Sequence, residues 1–155
     1  MLRLALFLLA ASIASAQLGV EAHGVVGTAG FIDTETHTAA GAAVRVPISR
    51  GWGFEPEFLY LRENSIHHDL AFSGNFSYRF LRNRRAQPYF IGGIGVLANR
   101  TRFSTGTVTG TDLTASVGFG VRIFLSGRWF LSPEARIGWE PVARATFGIG
   151  YAFGE

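Results

Sequence analysis

Residues 112–153 read DLTASVGFGVRIFLSGRWFLSPEARIGWEPVARATFGIGYAF. Ala115, Val117, Phe119, Val121 and Ile123 recur at every second position, with Thr114, Ser116, Gly118, Gly120 and Arg122 between them. Past Ser126-Gly127-Arg128 the alternation resumes, setting Leu131, Ala135, Ile137 and Trp139 against Ser132, Glu134, Arg136 and Gly138. Past Glu140-Pro141 it resumes again, setting Ala145, Phe147, Ile149, Tyr151 and Phe153 against Arg144, Thr146, Gly148, Gly150 and Ala152. Successive side chains of a strand point to opposite faces. The stretch therefore predicts three strands, each with one apolar face and one small or polar face. In a soluble sandwich the apolar faces of two sheets meet and the polar faces meet water. Charges of both signs set among glycines suit instead a small barrel in lipid, apolar outside and polar inside.

The whole chain has the composition of such a barrel. Its 155 residues allow one domain. Hydrophobic residues make up 48% and charged residues only 16%, below the usual quarter or so of a soluble domain. The 20 Gly and 14 Phe fit a tightly curved sheet that shows aromatic rings to a bilayer. The net charge of +3 is modest, and the Arg residues are spread over strands and turns. Nucleic-acid binding would want them clustered on one face among stacking aromatics, so no nucleic-acid partner is expected. There is no Cys, which excludes disulfides and thiol chemistry.

Residues 1–16 predict a secretory signal peptide. Arg3 gives the positive start, Leu4 to Ile13 the apolar run, and Ala14-Ser15-Ala16 the small residues before a cut at Gln17. The apolar run is shorter than the roughly 20 residues a spanning helix requires. No later segment is long and apolar enough for a membrane helix. In a membrane, residues 17–155 must then cross as a closed barrel, because open strand edges cannot stand in hydrocarbon.

Eight strands are expected, near 18–28, 38–48, 52–62, 67–80, 87–99, 112–124, 128–138 and 143–153. Most are about ten residues long, the length of a tilted membrane strand. An even number returns both ends to one side. Connections 49–51, 81–86 and 125–127 fall on the periplasmic side. Connections 29–37, 63–66, 100–111 and 139–142 fall outside, with 100–111 the longest loop. Trp52, Phe54, Tyr78, Phe80, Tyr89, Phe90, Trp129, Phe130, Tyr151 and Phe153 gather at the periplasmic ends as an aromatic girdle. Tyr60 and Trp139 mark the outer one.

Opposite the apolar face lie the acids Glu21, Glu55, Glu57, Asp69 and Glu134 and the bases Arg45, Arg79, Arg122, Arg136 and Arg144. His23, Ser73, Asn75, Thr114 and Ser116 join them. The interior of an eight-stranded barrel is just wide enough for side chains to fill, and charges inside must pair or stay hydrated. A salt-bridge plug is expected rather than a wide pore; the individual pairs depend on register, which the sequence does not display.

Catalytic, cofactor-binding and metal residues are not expected. Of the four His (His23, His37, His67 and His68), His37 is read as a loop residue. His67 and His68 lie near the outer rim with Ser65 and Asp69, the one cluster with hydrolase components. Adjacent His67 and His68 point to opposite faces of a strand, a poor metal site.

The segment Gln87-Pro88-Tyr89-Phe90-Ile91-Gly92-Gly93-Ile94-Gly95-Val96 resembles the Pro-Tyr-x-x-x-Gly-x-Gly strand of the outer-membrane β-barrel superfamily, which includes the outer-membrane protein A barrel and opacity-type porin-like proteins. Gly118-Phe119-Gly120-Val121-Arg122, Glu134-Ala135-Arg136 and Phe147 to Phe153 are similar to it as well. The resemblance covers 17–155 and implies an eight-stranded antiparallel up-and-down transmembrane β-barrel in the outer membrane. It also implies outer-membrane lipid and the barrel-insertion machinery as partners. Lipid A deacylases of similar architecture carry a His-x-Ser motif on a late strand, and this chain has none. The expectation is a monomeric structural or surface-interaction protein, with 29–37 and 100–111 as its variable face and its surface ligand open. The rival readings are a lipid-modifying enzyme, a narrow ion channel and a soluble lipocalin-like binder.

Overall fold

The computed structural model describes residues 19–31, 36–63, 67–103 and 106–154. The expected signal peptide, its cut before Gln17 and Ser65 lie outside the described residues. Eight strands follow in order: β1 (Glu21–Gly30), β2 (Thr36–Pro47), β3 (Trp52–Arg62), β4 (His67–Arg79), β5 (Ala86–Phe103), β6 (Gly106–Ser126), β7 (Trp129–Trp139) and β8 (Ala143–Ala152). Each pairs antiparallel with its neighbour in sequence, and β1 pairs with β8 to close the barrel.

Burial runs opposite to a soluble protein. Glu55 is 0% exposed and Arg122 1%, while Ile94 is 74% and Ile137 67% exposed. A continuous belt of Phe58, Phe72, Phe119, Phe147 and Ile149 faces outward. Apolar groups cannot face water in such a belt without a large cost, so the outside meets hydrocarbon. At the short-turn end, ring contacts link Trp52, Tyr78, Phe80 and Phe90 at 5.0–5.3 Å, and Trp129, Tyr151 and Phe153 likewise at 5.1–5.3 Å. This is the girdle expected at the membrane boundary.

Two of its expected members belong elsewhere. Tyr89 is 2% and Phe130 0% exposed, and both point into the barrel. Tyr89 shares a face with Gln87 and Ile91, and Phe130 shares one with Ser132 and Arg136; all four are buried.

The expected loop 100–111 is a second correction. β5 and β6 stay paired with each other from Ala98 and Thr111 to Phe103 and Gly106, and β4 stays paired with β5 as far as Thr101. The segment is rich in Thr, and β-branched residues favour strands. Once two adjacent strands are in register, extending their ladder satisfies backbone groups that a loop leaves to water. β7 reaches only Trp139, opposite Ala115, so residues 106–114 form an outer edge of this hairpin. His37 is a third correction: it is a buried residue of β2, not of a loop.

Candidate functional site: the barrel interior

Strand alternation delivers one inward side chain from every second residue, and the interior sorts them into layers. The layer nearest the short turns contains Glu21, Arg45, Glu55, Arg79 and Arg122. Glu21 bridges two cations, Arg79 at 2.7 Å and Arg122. Arg122 also reaches Glu55 at 2.8 Å, and His23 Nε2 lies 3.7 Å from the other oxygen of Glu55. The Arg122 guanidinium stacks between the rings of Tyr89 and Phe130, 5.2 and 5.3 Å from their centres, a cation–π arrangement strengthened by exclusion of water. Arg45 differs. Its Nε donates to Ser77 Oγ at 3.0 Å and its Nη2 to the Gly51 carbonyl at 2.9 Å. It meets no carboxylate among the described residues. It lies flat against Gly53, where a Cβ would fall 2.5 Å from its Cζ.

The middle layer contains Glu57, Glu134, Arg136 and Arg144. Arg144 holds Glu57 with both nitrogens of its fork, at 2.8 and 2.9 Å. Arg136 donates to Glu134 at 2.6 Å, to Asn75 Oδ1 at 2.8 Å and to Glu57 at 3.2 Å. Ser73 donates to Glu57 at 3.3 Å. Tyr89 links the two layers, its hydroxyl donating to Glu134 at 2.8 Å with Ser132 Oγ at 3.0 Å. Planar forks against carboxylates in a water-poor interior are the arrangement in which Arg outperforms Lys.

The third layer was not expected. Towards the extracellular end the inward residues become apolar: Val25, Ala29, Ala39, Leu59, Leu61 and Leu97, with Phe31 and Ala71 packed against them. At its rim Asp69 faces His37 at 3.6 Å. A cavity of only about 30 Å³ lies between the apolar layer and Arg136 and Arg144, room for about one water.

Sequence alternation thus named the charged members, and the structure brings nine of those ten into the two ionic layers, leaving Asp69 with His37. It missed Tyr89, Phe130 and Gln87, while Ser132 lies on the inward face that alternation gave it. Gln87 braces the turn 81–85 by donating to the Arg82 and Arg84 carbonyls at 2.6 and 3.1 Å, while accepting from Arg79 at 2.8 Å. Of the expected hydrolase components, the described side chains of His68 and Asp69 part. His68 stacks outside near Tyr60, 5.9 Å between centres, whereas Asp69 and His37 are buried inside.

A model of the outer membrane protein beta-barrel domain matches residues 2–154. A search of curated protein sequences returned no match. Among solved structures, the N-terminal β-barrel domain of Pseudomonas aeruginosa OprF superposes with a TM-score of 0.74 at 14% identity, covering 88% of this chain and 98% of that one. Neisserial surface protein A gives 0.71 at 13% identity, covering 86% and 96%. Ail, the attachment invasion locus protein of Yersinia pestis, gives 0.61 at 11% identity, covering 87% and 95%. At these identities the likeness is one of fold.

Proposed function

This chain belongs to the outer membrane protein β-barrel family and resides in the cell outer membrane, and from that premise we propose that it is a non-conducting structural and surface-interaction barrel. The observation that carries this reading is the filled interior. Two ionic layers and an apolar layer occupy the axis in succession, and an apolar constriction excludes ions even where a polar one would pass them. The interaction surface is the extracellular hairpin of β5 and β6, which outreaches β7 and presents an unpaired strand edge over residues 106–114. The names of two neighbours, a surface protein and an attachment protein, accord with a role at the surface. The reading assigns no catalysis, because His68 and Asp69 lie on opposite faces of β4. Residues 1–16 serve export, and the protein works as a monomer.

Planar bilayers test the reading. Purified barrel should give no conductance steps at any voltage the bilayer tolerates; reproducible steps would overturn it. Lipid A recovered from cells overproducing the protein should be unchanged in mass.

A further inference from the structure

The periplasmic mouth of the barrel carries a feature that the surface role does not use. A cavity of about 370 Å³ opens there, lined among others by Glu21, Arg45, Trp52, Arg79, Arg82 and Arg128. Its charge is unbalanced. The middle layer matches two guanidiniums, Arg136 and Arg144, with two carboxylates, Glu57 and Glu134. The layer beneath the mouth sets three, Arg45, Arg79 and Arg122, against Glu21 and Glu55. The surplus cation is Arg45, 4% exposed and hydrogen-bonded only to neutral groups. Those two bonds leave its Nη1 unused. A buried cation with no carboxylate in contact is costly, and here it borders an open cavity. The surroundings add to the potential. Of the turn residues that line the cavity, Arg82 and Arg128 are cationic and none is acidic. All 14 basic residues of the chain are Arg, whose fork matches the oxygens of a tetrahedral oxyanion.

We propose that this mouth is a binding site for a phosphate-class oxyanion, with Arg45 supplying the buried charge and Arg79 and Arg128 the outer contacts. Arg82 lines the rim. Trp52, which lines the cavity and also belongs to the aromatic girdle, places the opening at the level of lipid headgroups. The phosphate can therefore come from a glycerophospholipid of the inner leaflet or from solution. Carboxylates answer to the same forks but present two oxygens in a plane, leaving part of a cavity ringed by several Arg unmet.

The test uses the full-length protein, exported to and extracted from outer membranes, in a phosphate-free maltoside detergent. Calorimetric titrations with inorganic phosphate and with a short-chain phosphatidylglycerol should give saturable binding of at least one. Loss of one charge-assisted contact should weaken it about tenfold or more in Arg45→Gln and in Arg128→Gln, while Arg84→Gln, outside the cavity, leaves it unchanged. Arg128 is on an exposed turn, so its variant reads the site without disturbing the buried layers. Binding of phosphate alone identifies a soluble source, and binding of the lipid alone a headgroup. Absence of both, equal binding of citrate, or equal loss in Arg84→Gln overturns the proposal.

Discussion

Arg136 shows how much one side chain holds in this interior. It bonds Glu57 from β3, Asn75 from β4 and Glu134 from its own strand. Arg136→Ala leaves two buried carboxylates with only Arg144 and neutral donors. We expect a loss of about 3–5 kcal/mol, read as an earlier urea midpoint of the barrel in vesicles; an unchanged midpoint would remove Arg136 from the network. Gly120 is a second sensitive point, because a Cβ there meets the Tyr89 hydroxyl and ring. Gly120→Val should displace Tyr89 from Glu134 and lower stability by about 1–3 kcal/mol in the same assay. At this scale the sequence was legible wherever alternation ruled alone, as for Glu55, Glu57 and Arg136. It was misread where two rules competed. Tyr89 and Phe130 satisfy both a membrane girdle and an inward face, and their parity with Gln87 and Ser132, not their aromaticity, was the deciding signal.

Among the elements, the β5–β6 hairpin departs most from its sequence-based reading. Thr, Ser and Gly between strands suggest a loop, and residues 100–111 were expected as one. Pairing is a property of two segments at once, so the 18 paired positions that join β5 to β6 are not visible in either segment alone. A ladder makes a different prediction from a loop. Trypsin needs an unpaired stretch of backbone in its cleft, so cells displaying the barrel should resist cutting after Arg100 and Arg102. Rapid cleavage there would return the segment to a loop. Thr109→Pro removes a backbone donor opposite Arg100, and should render both sites sensitive while leaving the barrel's own unfolding within about 0.5 kcal/mol.

Over the whole molecule, closure was the most legible property. Eight alternating segments, an even count and charges on the face away from the aromatics permit few other arrangements. The division of the interior was not legible, since Leu59, Leu61 and Leu97 read as apolar positions without indicating that they cap a polar core. A closed barrel resists detergent until heated. The protein should migrate faster on a gel before boiling than after, and a soluble species with no shift would invert the assignment of inside and outside.

The separation in sequence of the paired charges governs how such a molecule can be assembled. Glu57 and Arg144 are 87 residues apart, Glu57 and Arg136 79, and Glu55 and Arg122 67. No sheet made of the first four or five strands owns both members of these pairs. A partial sheet laid into lipid would therefore present bare carboxylates or bare guanidiniums to hydrocarbon. The first half of the chain must wait beside water for the last, and the seam between β1 and β8 closes at the moment the charges are dried. Delivery into the bilayer is thus bound to completion of synthesis, which makes a truncated chain not a smaller barrel but an insoluble one.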